Sequence, residues 1–347
     1  MNQEQFSAWI SRATTGNCFV HDIPGSGKTV LAAFIGSWLR QAMPDVPTLI
    51  FFCDSKDERK SAADTFFRNA IVQLLHYYPH LINQLALEMG KTGGKKVLSW
   101  AHLKSIFLRL LHIVEKCFVV VDAVDELSTL GQDVLPETLS NLDASLTDSA
   151  AVQIFLTSRT RADVLAKLSF CEHKIILQRG PFDEDLRIFV SLSVDRSEEL
   201  QAMFEKNSTF IRELKDTLLA RSEGMFLLPK LLLQELKSKE TIDQMRQVLA
   251  DIPVSLSEYY AQFIERIDPS RKNFAIQVLR WLACTLRPLS LEELEIGLEL
   301  GTVLRHPTVG YGRLANLKFS IEKSCSCLVG CRKAQFNLLT HPSNVSF

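Results

Sequence analysis

The chain is 347 residues long, enough for two or three units that each bury a sizeable core. Apolar residues make up 46%, charged residues 23%, and the formal net charge is −1, so no global field draws the molecule to nucleic acid or to an anionic membrane. The first dozen residues lack the basic start and apolar run of a signal peptide, and no apolar stretch approaches the ~18 residues of a membrane span.

The eight cysteines are scattered, three of them in or beside apolar runs, which reads as reduced thiols in a cytoplasmic protein rather than a disulfide frame. In chain order, the first half alternates short apolar strands with amphipathic segments. Strands are predicted over 18–21, 48–53, 118–122, 152–157 and 174–177, each nearly continuous in β-preferring residues, as in a parallel sheet covered on both faces. Leu103, Ile106, Phe107, Leu110, Leu111 and Val114 fall on one stripe of a helix that ends before the third strand. The alternation predicts a doubly wound, five-stranded α/β domain over 1–180. Past Gly180-Pro181 the pattern turns helical, giving a helical domain over 181–250. A third unit over 251–347 opens one helix with the capping box Ser290-Leu291-Glu292-Glu293. Alternation over 319–339 with a break near Gly330 reads as a hairpin. Cys325, Cys327, Cys331 and His341 lack a standard zinc spacing, and the cysteines read as buried thiols in that β-element.

The segment from His21 to Thr29 follows a strand and leads into an apolar helix. Gly25 and Gly27 let backbone N–H groups approach phosphate oxygens, and the helix N-terminus adds aligned donors. Pro24, Gly25, Ser26, Gly27, Lys28 and Thr29 therefore form a candidate phosphate loop, with Lys28 bridging β- and γ-phosphates and Thr29 ligating Mg²⁺. Asp22 stands where the usual pattern has glycine. Aspartate tolerates left-handed backbone better than most residues, which would preserve the turn, with the carboxylate pointing away from the phosphates. A second motif ends an apolar strand at Asp122, suited to hold Mg²⁺ through its water shell, and Asp125 and Glu126 follow where they can orient or deprotonate an attacking water. At a third strand end, Arg159 is placed to sense or stabilise a γ-phosphate. Trp9 and Phe6 fit equally beside a nucleotide base or under the sheet.

With these segments in hand, the chain resembles the NACHT class of STAND P-loop NTPases, the NLR-like group, and particularly its fungal members. Pro-Gly-Ser-Gly-Lys-Thr at 24–29 looks like their nucleotide loop, and Asp122-Ala123-Val124-Asp125-Glu126 looks like their acidic motif, in which a small residue follows the Mg²⁺ aspartate. Thr157-Ser158-Arg159 matches the first sensor. Residues 223–227 and the leucine-rich run after them are similar to the helical lid, and residues 279–294 to the winged-helix region. His341-Pro342-Ser343 sits where the family often carries a histidine that reports on bound diphosphate. The resemblance implies an ATP/ADP-binding signalling switch with Mg²⁺ as cofactor. In such a switch, nucleotide exchange and slow hydrolysis drive opening, homo-oligomerisation in the ATP state and contact with protein signalling partners. Two alternatives stay open: a degenerate nucleotide-binding scaffold that does not switch, and a constitutive turnover ATPase. The effector domain and repeat array that usually flank such a core are not visible in the sequence.

Overall fold

The computed structural model describes residues 9, 17–83, 85–86, 99–142, 151–177, 183–204, 208–253, 255–285, 287, 289–303, 317–325, 328–332 and 335–338. The chain divides into two compact units, Met1–Leu177 and Gln178–Phe347.

In the first unit, strands β1 (Cys18–Asp22), β2 (Thr48–Phe52), β3 (Lys116–Asp122), β4 (Ala151–Arg159) and β5 (His173–Ile176) form one sheet in the order β2-β3-β4-β1-β5. Every neighbouring pair is parallel. All five predicted strands are present, within two residues of the ends read from sequence. Alternate residues feed opposite faces, as the two-residue period of a strand requires. Val119, Val121 and Leu156 join a cluster with helices α3 (Ala63–Tyr77), α4 (Trp100–Leu111) and α5 (Thr129–Ser140), which follow α2 (Glu58–Ser61) in the chain. Phe118, Val120 and Phe155 pack on the other face against Ala32, Ile35 and Leu39 of α1 (Lys28–Ala42). Covering on both faces explains why the strands are apolar throughout.

Trp9 lies under the sheet, with its ring 5.8 Å from both Phe118 and Phe155, so of its two sequence readings packing prevails; Phe6 lies outside the described residues. The edge strand β2 is capped by a side chain. The Gln73 amide donates to the Ile50 carbonyl at 2.9 Å and accepts from the Ile50 N–H at 3.0 Å, taking the place of a sixth strand there.

Register brings the chemistry to one edge. Asp22 lies opposite Arg159 across β1 and β4, and Phe52 lies opposite Asp122 across β2 and β3. Because β4 separates β1 from β3, the end of β4 stands between the loop after β1 and the acids after β3. Helix α6 (Ala162–Lys167) then leads toward β5.

The second unit begins with helices α7 (Asp183–Asp195), α8 (Glu198–Phe204), α9 (Ser208–Ser222), α10 (Leu227–Lys237), α11 (Ile242–Ala250) and α12 (Leu256–Arg266). Leu186, Val190, Phe210, Leu214, Leu232 and Tyr259 are among the residues of their shared core. Glu223 (φ 48°) and Gly224 (φ 82°) take left-handed backbone where α9 ends, the usual device for stopping a helix. Helix α13 (Pro269–Cys284), strand β6 (Leu289–Ser290), helices α14 (Leu291–Val303) and α15 (Leu317–Cys325) and strands β7 (Val329–Arg332) and β8 (Gln335–Leu338) follow, with the strands ordered β6-β8-β7. The expected capping box is formed: the Glu293 N–H donates to Ser290 Oγ at 3.2 Å and the Ser290 N–H to Glu293 Oε2 at 2.9 Å.

One expectation is overturned. The first half of the predicted hairpin, from Phe319 onward, is helical. Leu317, Ile321 and Cys325 recur every four residues and are all buried in the α13–α14 cluster, so helical periodicity prevails over the apparent alternation, and the hairpin begins only at Val329. Among the described residues no helix is long and apolar enough to cross a membrane.

Candidate functional site

The loop after β1 turns on two glycines, Gly25 at φ 79° and Gly27 at φ 92°, a backbone region that other L-residues enter at a cost of about 1–2 kcal/mol. Asp22 differs from the expectation: it is the last residue of β1, paired with Arg159, and does not take positive φ. Its tolerance of left-handed geometry is therefore never called upon, because the turn lies further along. Its Oδ1 accepts the Ile23 N–H at 2.7 Å. Gly27 is the N-cap of α1 and offers no side chain there, so the first-turn amides keep no internal cap. The Lys28 ammonium folds back onto its own loop, donating to the carbonyls of Asp22 (3.0 Å) and Ile23 (2.7 Å) and to Ser26 Oγ (3.2 Å). Burial lowers its pKa to about 8, against the opposing pull of Asp22, Asp125 and Asp122.

Beyond β3 the chain turns sharply. Ala123 takes left-handed backbone (φ 57°, ψ 52°) and opens a one-turn 3₁₀ helix, Val124–Glu126. A small side chain suits that position, since a β-branched one would clash there. The turn is pinned from behind by the Gln132 amide, which donates to the carbonyls of Asp125 (3.0 Å) and Leu127 (2.8 Å). The result buries three carboxylates: Asp122, Asp125 and Glu126 are 2%, 7% and 5% exposed.

Each buried carboxylate has partners, as the cost of burying charge demands. Asp122 Oδ1 accepts the Thr157 hydroxyl at 2.5 Å, and Thr157 Oγ1 in turn accepts the Ala123 N–H at 2.9 Å. The Thr29 hydroxyl also lies close enough to Asp122 to favour its charged form, which brings the first turn of α1 to the end of β3. Burial raises the Asp122 pKa, while both hydroxyls and Lys28 oppose the rise. Asp125 accepts the Arg159 N–H at 3.0 Å and lies 3.5 Å from its Nε. Glu126 Oε1 accepts Arg159 Nη2 at 2.7 Å, and Oε2 accepts the Ser55 N–H at 3.4 Å. Burial pushes Glu126 up to about 7 despite the adjacent guanidinium.

Thus Lys28, Thr29, Asp122, Asp125, Glu126 and Arg159, chosen from sequence, converge at one edge of the sheet. His341 lies outside the described residues. Thr157 was named from sequence only as part of the sensor motif, and Gln132 and the Ser55 amide were not recognised as parts of the site. Only Thr157 carried a signal, being a polar residue directly after the apolar run Ile154-Phe155-Leu156 and two before Arg159.

The fold and this edge define a P-loop NTPase-type α/β unit, followed by a helical part. A family model described as "Nephrocystin 3, N-terminal" matches residues 1–159, the stretch that contains the loop, the acids and Arg159. No curated protein sequence gives a significant match. Among solved structures, the Aeropyrum pernix ORC1 protein in complex with DNA is similar at 14% identity and TM-score 0.40, over 96% of this chain and 86% of that one. The Aeropyrum pernix ORC2 protein is similar at 12% identity and TM-score 0.43, over 98% and 91%. Cdc6p from Pyrobaculum aerophilum is similar at 12% identity and TM-score 0.41, over 98% and 89%.

Proposed function

We propose that the chain binds a nucleoside triphosphate with Mg²⁺ at this edge and works as a nucleotide-gated switch of the NACHT-type STAND class, with ATP and ADP as its alternating ligands. The observation that carries the reading is the approach of Thr29 to Asp122, beside an ammonium whose hydrogen bonds, among the described residues, go to the oxygens of its own loop. A hydroxyl and a buried carboxylate are hard oxygen donors of the kind Mg²⁺ takes. The carboxylates also outnumber Lys28 and Arg159, so a cation relieves an excess of negative charge. Thr29 and Asp122 would hold the ion, which when bound neutralises the phosphate oxygens. Lys28 exchanges its loop carbonyls for phosphate oxygens, while Gly25 and Gly27 leave the backbone amides bare to receive them.

Slow hydrolysis fits better than constitutive turnover. Burial raises the Glu126 pKa to about 7, which suits a base, but its ion pair with Arg159 occupies the carboxylate, so in this form it is hindered. A degenerate scaffold is the alternative that the Asp22 departure from the usual loop pattern favours, and an Asp22 with ordinary backbone gives no sign of a distorted loop. For the second unit, a winged-helix reading draws on the succession of helix α13, strand β6, helices α14 and α15, and the hairpin β7–β8. The switch reading adds that the ATP form self-associates and recruits protein signalling partners, while the ADP form does not. A nucleotide reverses a 99:1 population only through about 5.5 kcal/mol of differential affinity.

Calorimetry with Mg·ATP and Mg·ADP, then sizing of the protein with each nucleotide, tests this. Saturable binding that Lys28→Ala abolishes, and a larger particle with a slowly hydrolysed ATP analogue than with ADP, are expected. Undiminished affinity in the Lys28→Ala protein would refute phosphate binding at this loop, and equal mass in both states would refute switching.

A further inference from the structure

Arg159 is committed to the acids of its own site. Its N–H and Nε face Asp125, and Nη2 sits 2.7 Å from Glu126. The partners are unequal in freedom. Asp125 and Glu126 are buried on a turn pinned by Gln132, and Glu126 is held on its far side by the Ser55 N–H. The Arg159 side chain is 41% exposed. Its Cα pairs with that of Asp22 at the root of the phosphate loop, one strand spacing of about 4.8 Å away. When this contact breaks, the arginine is the partner that moves, and the loop lies within reach of its long stem.

We propose that Asp125 and Glu126 compete with the terminal phosphate of a bound triphosphate for Arg159, so that this acid pair sets the discrimination between triphosphate and diphosphate. The proposal rests on the nucleotide reading above and deepens it. A guanidinium carries five N–H donors in one plane, and the Nε–Nη2 edge turned to the acids cannot serve a phosphate at the same time. A diphosphate lacks the terminal group and leaves the ion pair closed, with Glu126 occupied. A triphosphate that draws Arg159 away does so at the cost of that pair, and leaves Glu126 open to a water molecule. The same acids that would serve hydrolysis therefore weaken triphosphate binding until Arg159 leaves.

The test is a double-mutant cycle. Glu126→Gln keeps the side chain's shape and its acceptor for Ser55 while weakening the ion pair. Dissociation constants for Mg·ADP and for an imido-linked Mg·ATP analogue are measured in the wild type, Glu126→Gln, Arg159→Ala and the double variant. The ratio of ADP to analogue dissociation constants should rise about fivefold in Glu126→Gln, the equivalent of roughly 1 kcal/mol for a half-exposed ion pair, and should not rise in the Arg159→Ala background. No rise, or the same rise with and without Arg159, overturns the competition, the latter marking a general charge effect. Absence of binding by the wild type overturns the nucleotide reading as well. Asp125→Asn removes the other half of the pair and gives the same readout should Glu126→Gln fail to fold.

Discussion

Thr157 offers the sharpest test of how the site is held. Its hydroxyl is fully buried, donates to Asp122 Oδ1 and accepts the Ala123 N–H, so one atom fixes both the acid and the left-handed turn after it. Thr157→Val preserves shape and β-branching, and so leaves strand packing intact. It removes a hydrogen bond to a carboxylate, worth about 1.5–3 kcal/mol, and strands a buried N–H at a cost of about 1–3 kcal/mol. The two losses share one hydroxyl and overlap, so about 3 kcal/mol is expected, a large part of the roughly 5–15 kcal/mol that holds a typical domain. Urea unfolding should record that loss, and amide exchange at Ala123 should accelerate, while Thr157→Ser stays near wild type. The Asp122 pKa should rise further, because one of the hydroxyls that lowers it is gone. A Thr157→Val protein within about 0.5 kcal/mol of wild type, with Ala123 exchange unchanged, would refute this account of the site.

Other outcomes follow from the loop and its helix. Burial lowers the Lys28 pKa to about 8, and bound phosphate favours its charged form, so Mg·nucleotide affinity should be level below pH 8 and fall above it. The fall should approach tenfold per pH unit by calorimetry. Lys28→Arg, which stays charged, should remove that slope. Asp22→Gly should tighten nucleotide binding or leave it unchanged, because its carboxylate adds negative charge at the loop and accepts just the neighbouring Ile23 N–H among the described residues. A clear loss of affinity in calorimetry would mean that Asp22 supports the bound state. Gly27→Ala should cost about 1–2 kcal/mol in thermal or urea unfolding, since alanine must hold φ 92° there.

Sequence and structure divided the work along physical lines. The five strands, the loop at 24–29 and the strand-end acid Asp122 were legible because each leaves a local mark: an apolar run, a glycine pair, a carboxylate after four β-branched or aromatic residues. Helical order in the second half was legible from periodicity, except at 317–325, where a short helix and an alternating strand look alike over nine residues until the packing of Leu317, Ile321 and Cys325 decides.

What the sequence alone determined is therefore the inventory: an α/β sheet, a phosphate-type loop and the charged residues that accompany it. Only the tertiary structure decided who holds whom. Parallel pairing of β4 between β1 and β3 brings Arg159 onto Glu126, Thr157 onto Asp122 and Thr29 beside them, although these residues are separated by 33, 35 and 93 positions. Local propensity cannot encode such distances. They are set by strand order and register, which emerge when both faces of the sheet are buried at once.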